Sequence, residues 1–398
     1  MVNRPILESA ARGIAVILLG VQLATWTFFL PVALSGHADF RQLYTAGFML
    51  RSGYRHSLYD YGVQKSIEDS IVSRESNALP FNHLAYESLL FAPLSCMPYR
   101  PAYLTFLALN VSLLFVTLRI LRSVFGLHGY VFWLGICFFP IPVALMQGQD
   151  SIILLALFSA AFFKLSQGKE ISAGVLIGLG LFKFQLVLPI AFLFFCWKQW
   201  RFFIGLMAST TAAIAVSVLL VGWQQIELYA HSLIAMSSDL NSELRRVMYG
   251  ISPADMPNLR GLVYGLTNGR LSASAQQGII LAVSLIVLAS VATIAKPRTG
   301  SEALLLSIPT SAIVSYHLLA HDWSILLIPL LAMISGIYYE NRTLRGISLH
   351  EVIVLVTFLA PLLLAIGRNY FYWGSISVFL LLIVLVQRER KCRLTLVE

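Results

Sequence analysis

Polar side chains interrupt this largely apolar chain of 398 residues at a few points, and their types suit proton transfer and phosphate binding. The first is Asp39 in "SGHADFRQLYTAG", which follows directly on the apolar run 13–34. The others are Gln147, Gln149 and Asp150 in "ALMQGQDS", Lys183 and Gln185 in "LFKFQ", His317, His321 and Asp322 in "SYHLLAHDWS", His83 in "FNH", and Asn258 and Arg260 in "MPNLRG". A carboxylate can act as a general base, and cationic side chains bind phosphate. Together they would suit a site that binds a phosphate and a polyol.

Each of these side chains also has a plainer explanation. Asp150 and Asp322 could cap the helices that follow them, and Lys183 could extend its ammonium group to the membrane surface. His317 and His321 are four residues apart, would share one face of a helix and could bind zinc. The chain has no H-E-x-x-H motif, however, and its four cysteines have no metal-ligand spacing. We therefore expect no metal site.

The elements that must position these residues are transmembrane helices. Hydrophobic residues make up 58% of the chain and charged residues 12%, whereas soluble domains carry about 25% charged residues. Because apolar runs recur along the whole chain, we predict one all-α, polytopic membrane domain over residues 1–398. The first run is too long for a typical signal peptide and is interpreted as a retained helix. The predicted spans are 13–34, 101–118, 130–146, 151–163, 202–222, 276–295, 303–320, 323–339, 349–366 and 371–386.

One further apolar segment, 172–197, is interrupted by Lys183-Phe184-Gln185. Basic residues flank it on both sides, which favours the same side of the membrane for both ends. We therefore predict two short helices, 172–183 and 186–197, that form a hairpin, and about 11–12 transmembrane helices in all. Non-helical backbone at such a depth must be buried in protein or line a wet cavity.

The charges predict the orientation. With a cytoplasmic N-terminus, the N-terminal segment, the short inner loops and the basic tail 387–398 together hold 16 of the 28 Lys and Arg residues, which indicates that both termini are cytoplasmic. This topology accounts for the net charge of +9 and removes the case for a nucleic-acid partner. Of the 19 acids, 12 fall on the outer side. Two long outer segments, 35–100 and 223–275, are expected to form short interfacial helices, and the polar residues above all map to this outer face.

Six blocks of sequence, taken in order, resemble glycosyltransferase family 87 of the GT-C superfamily. The resemblance runs from Asp39 to Leu331 and includes "ADFRQLYTAGFMLRSG", "FNHLAYESLLFAPLSCMPYRPAY", "QGQDS", "AGVLIGLGLFKFQ", "MPNLRGL" and "YHLLAHDWSILLIPLL". It implies a GT-C-type helical bundle that moves a sugar, mannose in the family, from a polyprenyl phosphate to a lipid-linked or glycan acceptor. The reaction would take place on the outer face of the bacterial plasma membrane, with inversion and without a cofactor.

The resemblance also implies roles for particular residues. Asp39 would be the general base, and His321 and Asp322 would line the same cavity. From residue type and topology together with the resemblance, we expect the following residues to bind substrate: Arg41, Tyr44, His83, Gln149, Asp150, Lys183, Gln185, Asn258, Arg260, His317, His321 and Asp322. Where relatives often have two prolines after "FNH", this chain has Leu84-Ala85, which leaves the role of the His83 loop open. The chain has no glycine-rich phosphate loop and no paired-aspartate motif, so we expect no nucleotide donor.

Three other functions fit parts of the pattern. A transporter or lipid flippase also places polar residues and broken helices in the membrane, although we find no internal repeat here. A polymerase or ligase of outer-face glycans would use a different lipid-linked donor. A structural membrane protein would need none of these residues for chemistry.

Overall fold

Helices form all the regular secondary structure among the residues that the computed structural model describes, which are 4–75, 79–127, 130–238, 252–267, 270–339, 348–363 and 367–394. The α-helices are α1 (Arg4–Val32), α2 (Phe40–Arg51), α3 (Tyr61–Ile71), α4 (Ser88–Phe91), α5 (Tyr99–Phe125), α6 (Tyr130–Cys137), α7 (Pro140–Gln147), α8 (Ser151–Ser166), α9 (Glu170–Leu179), α10 (Phe184–Cys196), α11 (Trp200–Val221), α12 (Trp223–Ser238), α13 (Leu259–Thr267), α14 (Ala273–Ile294), α15 (Gly300–Val314), α16 (Leu327–Tyr339), α17 (Leu349–Leu359) and α18 (Gly374–Leu394). The predicted all-α fold is confirmed. Four charged residues of the topology argument, Asp239, Glu243, Arg342 and Arg345, and the end of the basic tail lie outside the described residues.

Seven helical segments are long and apolar enough to cross a membrane: Ala15–Arg51, Tyr99–Phe125, Glu170–Cys196, Trp200–Val221, Ala273–Ile294, Ala320–Ile337 and Tyr370–Arg390. Three shorter apolar helices accompany them, at Ser151–Ser166, Gly300–Val314 and Leu349–Leu362. The apolar helices α6 and α7 are a further pair, separated by Phe138 and Phe139. A polytopic membrane protein is therefore confirmed. The predicted number of 11–12 transmembrane helices stays a prediction, because seven of the described segments are long enough to span and the others are shorter.

The segment 170–196 does divide into two helices. A 3₁₀ turn, Gly180–Lys183, separates α9 from α10 and ends at Lys183. On one side of it, α9 packs along α11 in parallel, because Ile171 meets Gly205 and Gly178 meets Ser209. Since α10 connects two parallel helices, it must run in the opposite direction. The predicted pair of short helices is thus present, and its two basic flanks lie at the same end.

A bend separates the first long helix from Asp39. The turn Ala33–His37 follows α1, and Gly36 within it has φ 101°, in the left-handed region that glycine adopts without strain. A Cβ at Gly36 would also lie 2.6 Å from Cγ1 of Val72. The chain then re-enters helical conformation at Phe40, so Asp39 stands at the start of α2. The segment 35–100 accordingly contains short helices, and its predicted place at the outer face of the membrane stays a prediction.

The parallel contact between α9 and α11 depends on glycine. A Cβ on Gly174 would overlap the carbonyl oxygen of Phe202, which is backbone and cannot rotate away. We expect Gly174→Ala to lower the free energy of unfolding by about 1–3 kcal/mol, because overpacked cores lose stability in that range. Gly278→Ala is the matched control, since no atom lies within 4 Å of a Cβ there. Thermal unfolding of both variants in detergent checks the prediction, and equal melting temperatures would contradict it.

Candidate functional site

A lysine buried between two carboxylates forms the centre of the site. The Nζ atom of Lys183 lies 3.1 Å from Oδ1 of Asp150 and 3.3 Å from Oδ1 of Asp322. Both aspartates are fully buried, and the lysine is nearly so. Lys183 occupies the last position of the 3₁₀ turn between α9 and α10, Asp150 directly precedes α8, and Asp322 lies in the 3₁₀ turn Ala320–Leu326. Three separate chain segments therefore meet at this ion pair.

The two aspartates differ in how they relate to helix capping. Asp150 stands at the N-cap position of α8, but its side chain makes no capping hydrogen bond and turns to Lys183 instead. Asp322 contacts Lys183 through Oδ1 and also bonds the backbone at the start of its 3₁₀ turn. Its Oδ2 accepts a hydrogen bond from the backbone N–H of Leu319 at 3.0 Å. Its Oδ1 also accepts from the hydroxyl group of Ser151, at 3.1 Å. Asp322 is therefore not the N-cap itself but the third residue of its 3₁₀ turn, where one oxygen bonds the N-cap backbone, and the side chain of Asp150 caps nothing.

The loop before α4 adds a histidine and a glutamate to this group. His83 Nδ1 lies 2.5 Å from Oε2 of Glu87 and 3.1 Å from Oδ2 of Asp150. Burial raises the pKa of Glu87 to about 7 although the imidazole opposes this shift. Burial lowers the pKa of His83, but Glu87 and Asp150 outweigh it and the pKa is raised overall. His83, Glu87 and Asp150 are therefore one coupled group.

Asp39 is held by the turn between α7 and α8. Its Oδ2 accepts a hydrogen bond of 2.6 Å from the side-chain amide of Gln149, and its backbone N–H donates to Oε1 of Gln147 at 3.3 Å. Between the two glutamines, Gly148 has φ 59°, and a Cβ there would lie 2.7 Å from Cβ of Phe40. The "QGQ" sequence therefore lets both amides reach Asp39, which remains partly exposed.

The polar group lies well inside the helical bundle. The side-chain amide of Asn110 donates to the backbone oxygen of Gln149. Asn110 lies eleven residues, and thus about 16 Å, from the first residue of α5. The end of α9 lies against Ser209, twelve residues and about 18 Å before the last residue of α11. Ionisable groups at such a depth in a membrane protein are costly and mark functional sites by default.

The second outer segment reaches the site through "MPNLRG". The Asn258 side-chain amide donates to the backbone oxygen of Ser315 at 2.7 Å, and the Arg260 guanidinium stacks on the ring of Tyr316 with its Cζ 4.1 Å from the centroid. These contacts bring the segment beside His317. Desolvation lowers the pKa of His317 to about 3, with Asp322 opposing it and Arg260 reinforcing it, so this imidazole is neutral.

One expectation about the histidines is wrong. They do not share a helix face, because α15 ends at Val314 and residues 315–319 are not helical. The backbone of this segment is fixed by other groups: the Ser315 hydroxyl donates to the backbone oxygen of His317, and Asp322 accepts from Leu319. His321 is buried with Nε2 3.5 Å from Oδ1 of Asp322, whereas His317 is only half-buried.

Three other predicted site residues lie apart from this group. Arg41 is buried on α2, where its Nε lies 3.0 Å from Oε2 of Glu68 and it also donates to the backbone oxygen of Ser73. The Tyr44 hydroxyl donates to the backbone oxygen of Met97 at 2.8 Å. Gln185 is partly exposed on the first turn of α10. The substrate-binding roles expected for these three residues stay predictions.

Sequence reasoning missed Glu87 and Tyr86. Glu87 is four residues from His83 in "HLAYE", a spacing that could have indicated a pair, but its outer segment marked it as a solvated acid. No sequence pattern indicated a role for Tyr86. Its hydroxyl donates to the backbone oxygen of Leu179 and accepts from the N–H of Phe182, both at 2.8 Å. It thereby satisfies two backbone groups that the break between α9 and α10 frees.

Removal of Lys183 tests the central ion pair. Lys183→Met leaves Asp150 and Asp322 buried without their cation, and breaking a buried pair in this way costs about 3–5 kcal/mol. We expect a much lower melting temperature in detergent than for Lys169→Met, which changes an exposed lysine in the loop between α8 and α9. Equal melting temperatures would show that the pair contributes nothing to the fold.

Comparison with known proteins gives one match. The model of glycosyltransferase family 87 matches residues 87–321, more than half of the chain. The match includes Asp150, Lys183, Asn258, Arg260 and His321, but begins after Asp39 and His83. No curated protein and no solved structure matches the chain.

Proposed function

This chain belongs to glycosyltransferase family 87, and from that premise we propose that it transfers a sugar, mannose by family resemblance, from a polyprenyl phosphate to a lipid-linked or glycan acceptor. The chain is thus a membrane glycosyltransferase, and the proposal concerns its donor, its acceptor and its base. We further propose that both termini are cytoplasmic and that transfer takes place at the outer face of a bacterial plasma membrane. The inner position of the basic residues supports this orientation.

The observation that carries the proposal is the difference between Asp39 and the two other aspartates of the site. Asp150 and Asp322 are fully buried and paired with Lys183. Asp39 is partly exposed, and among the described residues only the neutral Gln149 bonds its carboxylate, through Oδ2. Its Oδ1 is left for a substrate. A general base needs a free lone pair within hydrogen-bond reach of the proton it removes.

In the proposed step, the oxygen of an acceptor hydroxyl attacks the anomeric carbon of the donor sugar and its proton passes to Oδ1 of Asp39. The bond between the anomeric carbon and the phosphate oxygen breaks, and the electron pair leaves with the lipid phosphate. Attack from the face opposite the leaving group inverts the anomeric carbon. Gln149 would orient the carboxylate through its hydrogen bond to Oδ2.

The leaving phosphate needs hydrogen-bond donors or positive charge close to it. Lys183, Arg260 and His321 are the candidates for this role. Arg260 is partly exposed beside His317, and His321 adjoins Asp322. Because the site lies about halfway along α5 and α11, a polyprenyl chain could deliver its phosphate from within the bilayer.

Asp39→Asn tests the base directly. The amide cannot take up the hydroxyl proton, so we expect transfer to fall by about 10²–10⁴-fold, the usual contribution of general-base catalysis. The measurement uses membranes supplied with radiolabelled polyprenyl phosphate mannose. Asp60→Asn is the control, because Asp60 is an exposed N-cap of α3 and asparagine caps equally well. Full activity of Asp39→Asn would remove Asp39 from this role.

The donor class needs a separate experiment on the purified protein in proteoliposomes. We expect glycosylated lipid when polyprenyl phosphate mannose is supplied and none when a nucleotide sugar is supplied. Translocation of donor lipid without any glycosylated product would favour a flippase. Mass spectrometry of the glycolipids in a deletion strain and its parent would identify the acceptor.

A further inference from the structure

The atoms of three buried side chains converge on one point next to the proposed active site. His83 Nδ1, a carboxylate oxygen of Glu87 and a carboxylate oxygen of Asp150 all lie within 4.8 Å of one another. Glu87 and Asp150 are fully buried, and His83 is 7% exposed. Glu87 and His83 come from the loop before α4, whereas Asp150 precedes α8, so the three atoms join two distant parts of the chain.

Hydrogen bonds alone leave this arrangement incompletely satisfied. His83 Nδ1 carries at most one hydrogen, yet it faces Oε2 of Glu87 and Oδ2 of Asp150. Among the described residues, the buried Oε1 of Glu87 has no hydrogen-bond partner at all. The other oxygen of Asp150 is taken by Lys183, which leaves Oδ2 directed at the imidazole. Buried polar atoms in such a position need a partner.

Charge balance points in the same direction. Three fully buried carboxylates, those of Glu87, Asp150 and Asp322, surround a single lysine. A doubly charged cation would make the group neutral with both His83 and His321 uncharged, in place of the protons that His83 and Glu87 otherwise hold. The separation of 3.1 Å between His83 Nδ1 and Asp150 Oδ2 is close to that of two neighbouring ligands whose bonds to a metal are about 2.1 Å long.

We propose that His83, Glu87 and Asp150 bind a divalent transition-metal ion, zinc or manganese. An imidazole nitrogen with two carboxylate oxygens suits these ions better than calcium or magnesium, which prefer ligands that are all oxygen. The ion would fix the loop before α4 to the start of α8. Gln149, which orients Asp39, directly precedes Asp150, so the ion would also stabilise the turn that holds this side chain. Its binding does not depend on the proposed transfer reaction.

The test is metal binding by the purified protein in detergent. After treatment with EDTA and dialysis, the protein is titrated separately with Zn²⁺, Mn²⁺ and Mg²⁺, and bound metal is measured by inductively coupled plasma mass spectrometry. We expect about one Zn²⁺ or Mn²⁺ per chain and a higher melting temperature on binding, with a weaker response to Mg²⁺. Glu87→Gln and His83→Ala should each weaken binding by roughly tenfold or more, because even changes beyond the direct ligands weaken metal sites by 10–100-fold.

Glu75→Gln is the matched control. Glu75 also lies beside a histidine, with its Oε1 2.9 Å from Nε2 of His37, but this pair is partly exposed and has no third ligand among the described residues. Its substitution should leave metal binding unchanged. Absence of bound metal and of any thermal shift in the folded wild-type protein would overturn the proposal and show that protons bridge His83, Glu87 and Asp150. Equal affinity of Glu87→Gln and wild type would overturn it as well.

Discussion

The ion pair of Lys183 with Asp150 and Asp322 is the constraint on which the centre of the structure depends. An ammonium group buried this deeply in a membrane protein requires carboxylate partners. Because Lys183 ends the 3₁₀ turn after α9, the turn must lie beside the start of α8 and the segment 320–326. This position explains why α9 and α10 are short. Each extends only from one end of the bundle to the lysine and not across the full length of α11.

The 3₁₀ turn that separates α9 from α10 and positions Lys183 also leaves backbone groups without helical partners. Residues of the loop before α4 bond these groups. Tyr86 bonds both the last carbonyl group of α9 and the N–H of Phe182, while His83 lies against Asp150. The loop before α4 is therefore part of the interior of the protein. A change in this loop would act on the lysine and on Asp150 through two separate contacts.

Much of the fold could be predicted from sequence, since apolar run lengths and the basic pairs mark the helices and their junctions. The interruption at Lys183 correctly indicated two short helices, although the turn begins three residues earlier, at Gly180. The partners of the buried charges could not be predicted. Lys183 and Asp322 are 139 residues apart, and periodicity carries no information on such pairs. The prediction that His317 and His321 share a helical face was wrong because α15 ends before them, at Val314. Hydrogen bonds such as that of the Ser315 hydroxyl group to the backbone oxygen of His317 fix the segment after it, and local residue spacing does not reveal them.

The separation of the carboxylates into two kinds follows from the same packing. Asp150 and Asp322 are fully buried and neutralise Lys183, whereas Asp39 is partly exposed and its Oδ2 accepts a hydrogen bond from the neutral Gln149. Arg41 lies two residues beyond Asp39, and its contacts with Glu68 and Ser73 fix α2 against α3 and the residues that follow it. Asp39 is thus held from two sides, by the glutamines of the α7–α8 turn and by the helix that it begins. A carboxylate in this position can be partly exposed and still have a defined orientation.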